Sequence, residues 1–119
     1  MAFRVEISPQ ALNDLDEIAR HIQEQSSFEQ AEEWFNGIIA AIRTLEAMPR
    51  RCPVADVSKE LGQEVRLLLC GKRNRKYKVY YSIRQKAPST GTVQVFHVRH
   101  WARKSFKTNE LRELMGDRT

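Results

Sequence analysis

The clearest alternation of polar and apolar residues in this chain is KYKVYYSI at residues 76–83. A period of two residues is typical of a β-strand that buries one face. The face that needs burial holds the core-type side chains Tyr77, Val79, Tyr81 and Ile83. The opposite face, which we expect to meet solvent or a ligand, holds Lys76, Lys78, Tyr80 and Ser82.

Two more stretches with strand character flank this one along the chain. They are VRLLLC at residues 65–70 and VQVFHVR at residues 93–99. The connections at 71–75 and 86–91 are short and rich in polar residues, which favours antiparallel neighbours. In the last strand the alternation does not decide which face is buried.

The N-terminal part changes from strand to helical periodicity. A short alternating strand at residues 3–7 is followed by Ser8-Pro9, a pair typical of a helix start. Apolar residues then recur at helical spacing up to Ile22. The acidic and basic residues between them, which we expect on the outer faces, are Asp14, Asp16, Glu17 and Arg20.

A second helix is predicted directly after the first. Ser26 and Glu29 resemble a capping box, a regular apolar stripe runs through residues 31–45, and Met48-Pro49 ends the helix. Few residues separate the two helices, so they are expected to form an antiparallel hairpin. Residues 49–63 have no clear period and predict a loop with one short turn, and a last helix is expected at 103–115.

The predicted order of elements is therefore β-α-α-β-β-β-(α). This order indicates an α+β fold with a small antiparallel sheet packed against a helical hairpin. The 119 residues suit one compact domain spanning 1–119.

The charges are distributed unevenly along the chain. Residues 1–64 contain twelve acidic and six basic residues, whereas residues 65–109 contain twelve Lys or Arg and no acid. An acid-free stretch of this length favours phosphate or an acidic partner. We expect the target-binding residues to be Arg66, Lys72, Arg73, Arg75, Lys76, Tyr80, His97 and Arg99.

Several classes of protein and site are disfavoured by the sequence. No apolar run approaches the length of a membrane span, and the N-terminus lacks a signal-peptide core, so a cytoplasmic location without membrane contact is expected. Cys52 and Cys70 lie in no metal-ligand spacing and are expected to be reduced thiols. No metal site is predicted, because no carboxylate or cysteine lies near His97 and His100 in the sequence. Phosphate-binding glycine loops and serine-nucleophile motifs are also absent, and no cofactor is predicted.

Metal-independent RNA cleavage and binding without chemistry both remain open. Histidine can transfer protons, and Lys or Arg can stabilise charge on a transition-state phosphate. The side chains available for such chemistry are Arg66, Lys78, Tyr80, Tyr81, His97, His100 and Arg103.

The order of several short segments resembles the RelE/ParE superfamily of toxins from type II toxin–antitoxin modules, also called plasmid stabilisation proteins. The resemblance covers about residues 3–103. It rests on the helix entry at Ser8, the LGQEVR segment at 61–66, the YKVYYSI segment at 77–83, and VFHVRH at 95–100 followed by Arg103.

The resemblance implies a toxin that is neutralised by a cognate antitoxin in a hetero-oligomer. RelE-like members cut mRNA on the ribosome, and they would use Lys78, His100 and Arg103 as catalytic residues. ParE-like members poison DNA gyrase, and the long hairpin and the ending at His100 and Arg103 are more similar to that branch. Trp101 stands where the ParE-like ending has glycine.

Three hypotheses follow: a ParE-like gyrase poison, a RelE-like endoribonuclease, and an inactive nucleic-acid-binding domain of the same fold. The basic composition favours an acidic, partly disordered antitoxin segment that folds on contact. Phe96 and Phe106 are candidate exposed anchors for this segment.

Overall fold

The computed structural model describes residues 3–56, 58–72, 75–88 and 90–102. The first strand β1 (Phe3–Ile7) leads into the helices α1 (Pro9–Gln25) and α2 (Phe28–Arg43). Two 3₁₀ turns (Thr44–Glu46 and Pro49–Arg51) and a short helix α3 (Ser58–Leu61) follow. The chain then forms the strands β2 (Arg66–Cys70), β3 (Tyr77–Ala87) and β4 (Thr90–His100). The expected helix at 103–115 lies outside the described residues.

The four strands form one sheet in the order β1-β4-β3-β2. The pairs β2–β3 and β3–β4 are antiparallel, as the short connections predicted. The first strand pairs with β4 in parallel, with Val5 opposite Val93. The α+β fold is therefore confirmed, and its sheet is mixed.

Serine side chains cap both helices at their N-termini. Ser8 accepts a hydrogen bond from the Ala11 amide, as predicted. The second helix is capped by Ser27, which accepts from Gln30, and not by Ser26, which instead ends α1. The helix α2 also ends earlier than expected, at Arg43, although Leu45 remains fully buried in the following 3₁₀ turn.

The main core lies between the hairpin and one face of the sheet. Tyr77, Val79 and Tyr81 are buried there and Ile83 packs against them, as the alternation predicted. In β4 an extra residue interrupts the alternation, because Tyr80 pairs with His97 whereas Tyr81 pairs with Val95. Such a bulge shifts the faces of the following residues by one, so Val98 joins the core together with Val95.

A smaller core covers part of the opposite face of the sheet. Leu61, Val65, Tyr80 and Phe96 are buried together there. The segment of residues 53–65 is held over this face by backbone hydrogen bonds to β2, including Leu67 to Pro53. Among the described residues, no helix combines the length and apolar composition needed to cross a membrane.

Candidate functional site

The face of the sheet opposite the hairpin is left uncovered at one end. Lys78 pairs with Leu69 of β2 on one side and with Arg99 of β4 on the other, so these three residues share that face. Leu69 is 55% exposed, and Lys78 and Arg99 are partly exposed. Together with Lys76 and Trp101, they are called here the cationic end of the sheet.

Trp101 is held beside Lys76 just beyond the last paired residues. Its backbone N–H donates to the Lys76 carbonyl over 3.0 Å. The Lys76 ammonium lies 5.9 Å from the centroid of the indole ring, a distance at which cation and ring attract each other. Trp101 nevertheless remains 46% exposed, so it offers an aromatic surface beside positive charges.

Tyr80, expected on the open face, and His97, expected to bind a target, are both buried. Tyr80 is 4% exposed and His97 is 8% exposed. Burial raises the pKa of Tyr80 above its ordinary value, and the nearby charge of Arg99 partly offsets this. The expectation of exposure was wrong for Tyr80 because the irregular segment at 53–65 covers this half of the face, whereas His97 lies against Asp14 of α1. Phe96, expected as an exposed anchor, is buried for the same reason as Tyr80.

Arg66 holds the loop before α3 in place. One of its terminal nitrogens donates to the carbonyls of Cys52 over 2.6 Å and Arg50 over 2.9 Å, and another lies 3.0 Å from the Glu64 carboxylate. The side chain is only 13% exposed. The structure therefore gives Arg66 structural contacts in place of the expected exposure to a ligand.

Asp14, expected on the outer face of the first helix, is buried at a junction between α1 and β4. One carboxylate oxygen accepts from the Val98 amide over 3.0 Å and lies 2.7 Å from Nδ1 of His97. The other oxygen accepts from the Gln10 side chain over 2.9 Å. The spacing from Ala11 and to Ile18 places Asp14 on the buried stripe of the helix, so its burial has a signal in the sequence.

Of the three candidate catalytic residues, the structure describes Lys78 and His100, and it places them on opposite faces of the sheet. His100 pairs with Tyr77, and the centroids of their rings lie 5.2 Å apart on the hairpin side. Its Nδ1 accepts from the Ala102 amide over 3.1 Å. Lys78 follows Tyr77 in the same strand and therefore faces the other side of the sheet. Arg103 lies outside the described residues.

Two grooves flank Arg75 on the hairpin side. One groove, of about 660 Å³, lies between α1 and the end of β4 and is bordered by His21, Ile22 and Tyr77. The other, of about 540 Å³, lies between α2 and the end of β2 and is bordered by Trp34. Arg75 borders both grooves, and its guanidinium donates to Gln30 over 2.9 Å.

The remaining predicted residues are Lys72, Arg73 and the two cysteines. Lys72 is exposed after β2, and Arg73 lies outside the described residues. Cys52 and Cys70 are free thiols, and burial, with a contribution from Cys52, raises the pKa of Cys70 from 9.0 to about 11. In the described ranges, His, Cys, Asp and Glu side chains form no group of three or more able to hold a metal.

Comparisons with known proteins agree with this geometry. The family model described as "ParE toxin of type II toxin-antitoxin system, parDE" matches residues 5–104. A solved chain from the chromosomal ParDE toxin–antitoxin system of P. aeruginosa has a similar fold, with a TM-score of 0.66 at 16% identity, over 82% of this chain and 95% of that chain. No curated protein matches the sequence. With most of its length matched by the family model, the chain belongs to the ParE toxin family of type II toxin–antitoxin systems.

Proposed function

We propose that this protein is a cytoplasmic toxin that stops growth by binding DNA gyrase and trapping it on cleaved DNA. The observation that carries the proposal is the match to the ParE toxin family over residues 5–104. The proposed mode of action is binding to the target, without cleavage of RNA by the toxin itself.

The geometry of the sheet supports binding over cleavage. An RNA-cutting site needs a proton-transfer group and a cation around the same phosphate. Here His100 packs against Tyr77 on the hairpin side, whereas Lys78 faces the opposite side. His97, the other histidine of β4, is 8% exposed and contacts Asp14. These positions place His100 and Lys78, two residues of the RelE-like catalytic set, on different faces of the sheet.

We also propose that a cognate antitoxin neutralises the toxin by occupying the two grooves beside Arg75. The grooves combine buried apolar side chains, such as Ile22 and Ile38, with the charge of Arg75. An acidic segment that folds into an amphipathic helix could place apolar side chains in the grooves and acidic side chains against Arg75. The expected complex is a toxin–antitoxin hetero-oligomer.

The target can be tested with purified components. The chain is added to bacterial gyrase, ATP and relaxed plasmid, and both supercoiling and protein-linked linear DNA are measured. We expect supercoiling to fall and linear DNA to accumulate. The variant His100→Asn is the discriminating control, because its amide oxygen can still accept from the Ala102 amide while its side chain cannot transfer protons. We expect this variant to retain inhibition of gyrase.

The nuclease alternative predicts the opposite outcome from the same variant. Loss of a proton-transfer residue typically slows a reaction about 10²- to 10⁴-fold. The gyrase proposal fails if the unmodified chain leaves gyrase unaffected and mRNA on ribosomes is cut instead. In that case His100→Asn should abolish growth arrest. An inactive copy of the fold would produce neither effect.

A further inference from the structure

The cationic end of the sheet combines positive charge with an exposed aromatic ring. We propose that it binds single-stranded nucleic acid, with a base stacked on Trp101 and phosphates contacted by Lys76, Lys78 and Arg99. This surface lies on the face opposite the hairpin core, apart from most of the groove lining proposed for the antitoxin. Arg99, at the edge of β4, borders the α1 groove as well.

The environment of Trp101 suits stacking of a base. The Lys76 ammonium lies 5.9 Å from the centroid of the ring, and 46% of the residue remains open to solvent. A large aromatic side chain exposed next to cations is typical of surfaces that stack bases. The resemblance to ParE-like endings predicts glycine at the position of Trp101. The stacking surface that Trp101 provides is therefore a feature of this chain that a glycine would not supply.

The charge of this surface is complementary to phosphate. Lys78 and Arg99 are direct cross-strand neighbours, and such neighbours lie about 5 Å apart at their Cβ atoms. Residues 65–109, which provide all of this surface, contain no Asp or Glu. Phosphates along a strand would therefore meet cations without a competing carboxylate from β2, β3 or β4.

Two features favour a single strand over the other polyanions. In a duplex the bases are stacked on one another, so an indole ring needs an unpaired base to stack on. An acidic protein segment would make more favourable contacts on the hairpin side, where the grooves combine Arg75 with apolar side chains. Apart from Arg99, the residues of the cationic end lie outside the lining of these grooves.

Fluorescence can report directly on Trp101. The chain has two tryptophans, so the variant Trp34→Phe leaves Trp101 as the only one. Single-stranded DNA of 12 nucleotides, and RNA of the same sequence, are titrated into this variant at low salt. We expect saturable quenching, and the two oligonucleotides separate DNA from RNA as the preferred ligand. Absence of quenching by both would overturn the proposal.

The contribution of each residue is measured by the anisotropy of a labelled oligonucleotide. We expect Trp101→Ala to lower affinity roughly 5- to 100-fold and Trp101→Phe to retain most of it. Lys78→Ala should reduce the slope of log affinity against log salt by about one. Lys86→Ala is the matched control, since Lys86 is exposed at the far end of β3 within the same acid-free stretch.

Two results would contradict the assignment. Equal losses in Lys78→Ala and Lys86→Ala would indicate general attraction between charges and no defined surface. Stronger quenching of Trp101 by a poly-glutamate peptide than by either oligonucleotide would indicate an acidic protein partner. Because the assay uses free oligonucleotides, its outcome is independent of whether the chain inhibits gyrase.

Discussion

The face of the sheet opposite the hairpin has two halves that are only two or three residues apart along the strands. In one half Tyr80 is 4% exposed and Phe96 is 5% exposed beneath the segment of residues 53–65. In the other half Lys78 and Arg99 are partly exposed, and Leu69 is 55% exposed. The same strands therefore supply a second core and a candidate binding surface side by side.

The difference shows that alternation along a strand predicts the face of a residue but not what covers that face. The covering segment has no hydrophobic period and is held by local hydrogen bonds, such as those between Ser58 and Val65. We therefore expect mutations in the covered half to lower stability, and mutations in the open half to leave stability nearly unchanged.

The largest expected effect is that of Phe96→Ala. Removing a buried aromatic side chain should lower the free energy of unfolding by about 3–5 kcal/mol. Leu69→Ala, in the open half, should change it by about 0.5 kcal/mol or less. Urea denaturation followed by circular dichroism measures both variants. Equal effects from the two substitutions would remove the distinction between the halves.

Asp14→Ala should have the next largest effect. It leaves the Val98 amide without its acceptor and removes the carboxylate beside Nδ1 of His97 in a buried site, which should cost about 2–3 kcal/mol. Amide hydrogen exchange at Val98 should accelerate more than exchange at Val93, which belongs to the part of β4 paired with β1. Uniform acceleration along β4 would show that Asp14 has no local role.

Ser58→Ala tests how the covering segment is fixed. The Ser58 hydroxyl donates to the Val65 carbonyl and accepts from the Val65 amide, each over 2.9 Å. Its loss should lower the free energy of unfolding by about 1–2 kcal/mol, whereas Ser82→Ala on β3 is the control and should have little effect. If Ser58→Ala is neutral while Tyr80 stays buried, the segment must be held mainly by its apolar contacts.

The smallest expected effect is a loss of stability at alkaline pH that is caused by side chains on the hairpin-facing side of the sheet. Burial raises the pKa of Cys70 from 9.0 to about 11, and it also raises the pKa of Tyr81. Because the folded state holds these protons more tightly, stability should be constant below about pH 9 and fall as pH rises toward 11. Cys70→Ala should flatten part of this decline in urea denaturation. A decline of the same size in Cys70→Ala would show that the tyrosines alone cause it.

Regular periods in the sequence predicted the elements and the main core, but not the features that interrupt those periods. The hairpin-facing set from Tyr77 to Ile83 and the cap at Ser8 are confirmed. The bulge opposite Tyr80 was missed because an extra strand residue has no sequence signature here. The burial of Asp14 was detectable from its helical spacing, but charged residues rarely lie in a core without partners. Two of its partners, His97 and Val98, are more than eighty residues away.

The most direct test of the proposed function is pulse-labelling of DNA and protein synthesis in bacteria after the chain is expressed without its antitoxin. The account predicts that incorporation of thymidine falls first, that gyrase accumulates on cleaved DNA, and that His100→Asn behaves like the unmodified chain. An earlier fall in incorporation of amino acids, with mRNA cut within codons, would contradict it.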